Sequence, residues 1–171
     1  LLLPMRSLTS QFKWVTCPAV LKRFKNDTER FGMNLTFAIP TVTDTATTTP
    51  ALVPQQTTAG APLFLEEYRF DATPTDLQDI IAAVVKLMRD DAKAELERQL
   101  VIVSNDMFAH LCQHATPVNA HIAIDSDTKT VRGGALWYEE TLPPETLLYV
   151  GLSAVQARMP KKDKQDNPET S

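Results

Sequence analysis

Three groups of residues in this 171-residue chain have types and spacings that could do chemistry. Trp137-Tyr138-Glu139-Glu140 sets two acids beside two aromatics. Paired carboxylates can hold a metal ion or move protons. Adjacent residues of a strand point to opposite faces, so Glu139 and Glu140 would not act as one pair if the segment is extended. The other reading of the same residues is a half-buried strand with solvated acids. In the second group, His110-Leu111-Cys112-Gln113-His114, two histidines stand at i, i+4. That spacing on a helix can bind a metal, but structural zinc takes four ligands and no fourth is near in the sequence. Cys112 is expected on the apolar face with Leu111, so an ordinary helix is the expectation and no metal ligand is assigned. The third group is basic: Arg6, Lys13, Lys22, Arg23, Lys25 and Arg30 stand against Asp27 and Glu29, a net of +4 in the first 30 residues. Contact with a polyanion would start there. A solvated helix face accounts for the same charges.

The elements that must position these groups read as follows. Residues 1–8 form a short apolar strand interrupted by Pro4, which favours an edge or a strand start. Thr16 to Phe24 is a helix, with Pro18 in its first turn and Val20, Leu21 and Phe24 as its apolar stripe. Residues 41–61, with eight Thr, two Pro and one charge, read as a long loop or insertion. Residues 63–70 read as one strand with a bulge or two-face burial. A helix starts at Thr73–Asp76 and carries the stripe Leu77, Ile80, Ile81, Val84, Leu87 and Met88, continued weakly by Leu96. Val101-Ile102-Val103 is a buried strand, and Ser104 caps the next helix. Val118, Ala120, Ile122 and Ile124 alternate with Asn119, His121, Ala123 and Asp125, a period-2 strand. The turn Asp125–Lys129 leads to a return strand from Thr130 to Glu140, weakened by Gly133-Gly134. Thr146 to Leu152 is a further strand, and a polar tail follows Pro160. Strands alternating with helices and closing on hairpins suggest an α+β fold of the ferredoxin-like kind.

Composition bounds the function. The length suits one domain, expected over residues 1–159 with a tail at 160–171, and 43% hydrophobic residues suffice for a core. No apolar run is long enough for a membrane helix. Two cysteines, Cys17 and Cys112, cannot make a disulfide framework, so a reducing, cytoplasmic setting is expected. The two glycosylation-type triplets, Asn26-Asp27-Thr28 and Asn34-Leu35-Thr36, then read as chance. Five glycines leave no G-x-G-x-x-G and no phosphate-binding loop, and there is no nucleophile elbow. The overall net charge of −4 excludes nucleic-acid binding by bulk charge and leaves only the basic N-terminal region for it.

Several blocks, in order, resemble one family. They are Leu3-Pro4-Met5-Arg6-Ser7-Leu8, Phe12-Lys13-Trp14-Val15-Thr16-Cys17-Pro18 with Leu21-Lys22-Arg23-Phe24, Leu63-Phe64-Leu65-Glu66-Glu67, Leu100 to Phe108, and Gly134-Ala135-Leu136-Trp137-Tyr138-Glu139-Glu140 followed by Leu142 to Tyr149. Together they resemble the repeated backbone subunit, of the RAMP superfamily, in the type III-B (Cmr) CRISPR effector complex. The resemblance covers roughly residues 1–152.

The resemblance implies an RRM-like core, guide RNA and target RNA as ligands, and other RAMP subunits, including copies of the same chain, as partners. It implies that the hairpin from about 118 to 138 is a thumb that wedges the guide–target duplex. Target RNA would be cut near each wedge with a divalent metal ion, Mg or Mn. Glu139 and Tyr149 fall by spacing at positions tied to that cutting. Arg6, Lys13, Lys22 and Arg23 would contact the RNA backbone without reading its sequence. The family's strand and Asp-bearing loop before the first block, and its Gly-rich closing segment, have no counterpart here, so the chain is expected to be part of a subunit. The resemblance leans toward part of a metal-dependent endoribonuclease from which the family's main catalytic Asp loop is missing. A non-catalytic assembly module of the same ribonucleoprotein is the alternative.

Overall fold

A computed structural model describes residues 1–155 other than 9, 46, 58–61 and 90. The expected tail at 160–171 and parts of the 41–61 segment lie outside the described residues. In chain order the elements are β1 (Leu3–Met5), β2 (Lys13–Thr16), α1 (Pro18–Arg30), β3 (Pro50–Pro54), β4 (Leu63–Leu65), β5 (Tyr68–Thr75), α2 (Gln78–Val85), α3 (Ala92–Gln99), β6 (Leu100–Ile102), α4 (Asn105–His114), β7 (Val118–Ile124) and β8 (Val131–Glu140). The class is α+β, as expected.

Six strands form one sheet in the order β1-β2-β6-β3-β5-β4, and β7 and β8 form a separate two-stranded ribbon. The pairs β2·β6 and β3·β5 are parallel. Neighbouring strands of a ferredoxin-like sheet are antiparallel, so these two parallel pairs depart from that expectation.

At β2 and β6 the sheet is buried on both faces, which explains why β6 is apolar at every position. Trp14, Leu100 and Ile102 face a cluster with Leu21 and Phe24 of α1, Ile80, Ile81 and Val84 of α2, and Leu96 of α3. Val15 and Val101 face the other cluster, with Leu3, Met5, Val53, Phe70 and Leu111 of α4. Ser104 caps α4 as expected, its Oγ accepting from Met107 N at 3.0 Å.

Several boundaries differ from the sequence reading. Lys13–Thr16 is a strand, and α1 continues from Pro18 to Arg30 because Thr28 extends the buried stripe of Leu21 and Phe24. The segment 41–61 is not loop throughout: β3 lies inside it, between β6 and β5, with Ala51 and Val53 buried. Its two prolines stand at the first and last positions of the strand, where a missing N–H costs least. Residues 63–70 are two antiparallel strands rather than one, turning at Glu66, whose φ is 52°. The stripe from Leu77 breaks after Val85, and Leu96 belongs to the separate α3. Residues 146–152 contribute a single bridge, Leu2 to Leu147, instead of a strand. Leu148 and Val150 are exposed there.

Candidate nucleic-acid interface

The β7–β8 ribbon carries the Trp-Tyr-Glu-Glu block. Its register pairs Val118 with Glu140, Ala120 with Tyr138, and Ile122 with Leu136, while Asn119 pairs with Glu139 and His121 with Trp137. Opposed residues share a face, so the ribbon has two unlike sides. One bears Val118, Ala120, Ile122, Leu136, Tyr138 and Glu140. The other bears Asn119, His121, Trp137 and Glu139. The period-2 pattern therefore predicts the sides correctly, but neither is a core face: Ile122 is 51% exposed and Trp137 50% exposed. Glu139 and Glu140 are on opposite sides, as the alternation rule requires.

Glu139 Oε2 lies 3.3 Å from His121 Nε2. The His121 ring lies over Trp137, with centroids 5.4 Å apart and planes 15° from parallel. Glu140 instead accepts a hydrogen bond from the Thr116 hydroxyl. The tip is a tight Asx turn: Asp125 Oδ1 accepts from the backbone N–H of Asp127 and of Thr128, each at 3.0 Å. The Thr128 N–H, followed by that of Asp127, holds the Asp125 carboxyl below its ordinary range.

Tyr149 sits elsewhere. Its hydroxyl donates to Asp27 Oδ2 at 2.7 Å, and its ring meets Phe24 edge-on at 5.3 Å. Burial, then the bond to Asp27, pushes the Tyr149 hydroxyl up to about 12. It borders a cavity of about 400 Å³ lined also by Phe31, Met33, Leu87 and Leu152. Glu139 and Tyr149 thus have different partners, His121 for the one and Asp27 with Phe24 for the other.

The four basic candidates also differ. Arg6 follows β1 and is exposed in a cleft shared with Glu66 and Glu67, its backbone tied to Glu66. Lys13 is half-buried, and its Nζ donates to the Arg98 carbonyl of α3 at 2.8 Å. Burial pushes the Lys13 ammonium below its ordinary range. Lys22 and Arg23 are exposed on α1 and form no ion pair with the described residues. Lys25 is turned back, donating to the Phe37 carbonyl at 2.8 Å.

Among the described residues no group of three or more His, Cys, Asp or Glu converges in a way that could hold a metal ion. The described residues therefore do not by themselves fit a protein-built site for the divalent ion that the resemblance implies. His110 Nε2 is engaged with the Tyr68 hydroxyl at 3.0 Å, and Cys112 is exposed rather than on the apolar face. The sequence reading missed His121 and Asp27 as partners. His121 was detectable, since it stands on the same alternation phase that the strand pattern assigns to Asn119. Asp27 was not, because 122 residues separate it from Tyr149.

No protein-family model matches the chain. It is 33% identical over 153 residues to the CRISPR system Cmr endoribonuclease Cmr4 of Pyrococcus furiosus, covering 87% of this chain and 50% of that protein. The chain thus spans about half the length of the curated relative it matches. The crystal structure of oligomeric Cmr4 from Pyrococcus furiosus is similar with a TM-score of 0.59 and 24% identity, covering 86% of this chain and 55% of the other. The cryo-EM structure of the type III-B Cmr-beta bound to cognate target RNA is similar with a TM-score of 0.54 and 17% identity, covering 84% and 50%. These likenesses are of fold.

Proposed function

Because this chain is homologous to about half of a Cmr4 subunit of type III-B CRISPR systems, we propose that it is a guide-RNA-binding backbone component of such an interference complex. In this reading it works in the cytoplasm in antiviral defence. It packs against other RAMP subunits and further copies of itself, and it takes part in cutting target RNA. The observation that carries the reading is the 33% identity over 153 residues, which covers 87% of this chain.

Each part of the chain has a role. Residues 1–159 are the RAMP-type domain, with 160–171 as a polar tail. The β7–β8 ribbon is the thumb. It is supported in that role by its exposure on both sides and by an aromatic, Trp137, able to stack on a base. Arg6, Lys22 and Arg23 touch phosphates, and a few such contacts suffice for a subunit that holds only a short stretch of guide. Lys13 contributes least, since its ammonium is already bonded to α3. Glu139 serves as the proton acceptor in target cleavage. Tyr149 donates to a phosphate oxygen once it leaves Asp27. The Mg or Mn ion associated with such cutting is not held by side chains of the described residues alone.

Co-purification tests the reading. The complex assembled with this chain retains guide RNA, and the complex lacking it does not. Normal assembly on guide RNA without the chain would sink the proposal. A second reading, a non-catalytic assembly module, draws on the lack of a converging donor set among the described residues. Target cleavage by Glu139→Ala and Tyr149→Phe variants separates the two, since unchanged cutting at every interval favours the module.

A further inference from the structure

Resting on the reading of Glu139 as a residue of target cleavage, we propose that His121 is the positioning residue for the Glu139 carboxylate. The two acids of the block are separated by the ribbon's pleat, and they have different partners. Glu140 is held by Thr116, whereas Glu139 faces an imidazole at 3.3 Å. Asn119, directly opposite Glu139 in the register, reaches instead toward Thr141 Oγ1 at 3.5 Å. His121 approaches Glu139 diagonally across the ladder, the geometry in which long side chains of neighbouring strands meet.

Its ring is fixed twice. It lies nearly flat on Trp137, its own register partner, and it points Nε2 at the carboxylate. An exposed glutamate alone would sample many rotamers. A stacked imidazole at this distance selects those that keep the carboxylate on the aromatic side of the ribbon. A solvent-exposed pair of this kind adds little to fold stability, so a merely structural role predicts no effect on cutting.

The test uses the guide-loaded ribonucleoprotein assembled with the full chain, with single-turnover target cleavage and target binding measured together. His121→Ala slows cleavage about 10-fold with target affinity unchanged, the kind of loss that misplacing a reacting group causes. His121→Gln, which keeps an N–H donor at similar reach, restores most of the rate. In a Glu139→Ala background His121→Ala has no further effect, because it acts through the missing carboxylate. If Glu139→Ala is slow but His121→Ala cuts at the wild-type rate, or if the double variant is slower than Glu139→Ala, the positioning role is overturned. If Glu139→Ala itself cuts normally, the cleavage role of Glu139 falls and takes this inference with it.

Discussion

The Tyr149 hydroxyl donates to Asp27 Oδ2 at 2.7 Å and straps the segment after the ribbon onto α1. Other contacts point the same way. Trp14 Nε1 donates to the Glu145 carbonyl at 3.0 Å, and Leu2 and Leu147 exchange backbone bonds at 3.1 and 3.0 Å. Residues 145–149 thus hold the β1 edge, β2 and α1 together without forming a strand.

Removing the strap's hydroxyl tests it. Tyr149→Phe keeps the ring against Phe24 and loses the bond, which should lower stability by about 1 kcal/mol in urea unfolding. The bond also has an alkaline signature. A folded-state value raised to about 12 from an ordinary 10.0 means the stabilisation is fully present below pH 10 and is lost as pH rises toward 12. Tyr149→Phe should lack that fall. A wild-type chain whose stability is flat between pH 10 and 12 would contradict it.

The basic residues should divide by what they already bond. Lys22→Ala with Arg23→Ala removes two exposed cations, so guide-RNA affinity should fall and the slope of log affinity against log salt should drop by about 1–2. Melting temperature should barely move. Lys13→Ala should behave in the opposite way, weakening the fold by loss of its bond to α3 while leaving the salt slope nearly unchanged. Filter binding across a salt series, beside thermal melts, reads both.

Shortening the ribbon's turn at Asp125–Lys129 should leave the fold intact. None of β7 or β8 belongs to either core cluster, so the stability change should stay under about 1 kcal/mol, or roughly 2–4 °C in melting temperature. The spacing of target cuts should change instead. A large melting shift with normal cut spacing would count against a thumb.

Phe24 is the reverse case. It is fully buried and meets both Phe37 and Tyr149. Phe24→Ala should cost about 3–5 kcal/mol through the cavity it leaves. Denaturant midpoints check this, and a loss below about 1 kcal/mol would mean that the α1 face repacks freely.

Local pattern alone was enough for the elements whose burial follows a simple period. The unbroken apolar run at Val101–Val103 announced a strand covered on both faces, Ser104 announced a helix cap, and the alternation from Val118 assigned His121 and Ile122 to opposite sides of a hairpin. The ordered blocks likewise carried the resemblance to a family, because collinear residue identity survives without any knowledge of contacts. Tertiary structure decided the rest. β3 is three apolar-core residues between prolines in a threonine-rich stretch, and only its neighbours β5 and β6 make it a strand. Residues 146–152 have a strand's composition but find one bridging partner, so they become a strap. Whether a half-apolar ribbon is buried or exposed depends on what else packs there, which no period encodes. The same holds for the site: residue type made Glu139 and Tyr149 candidates, but their partners, His121 and Asp27, were set by the ladder register in one case and by a 122-residue separation in the other.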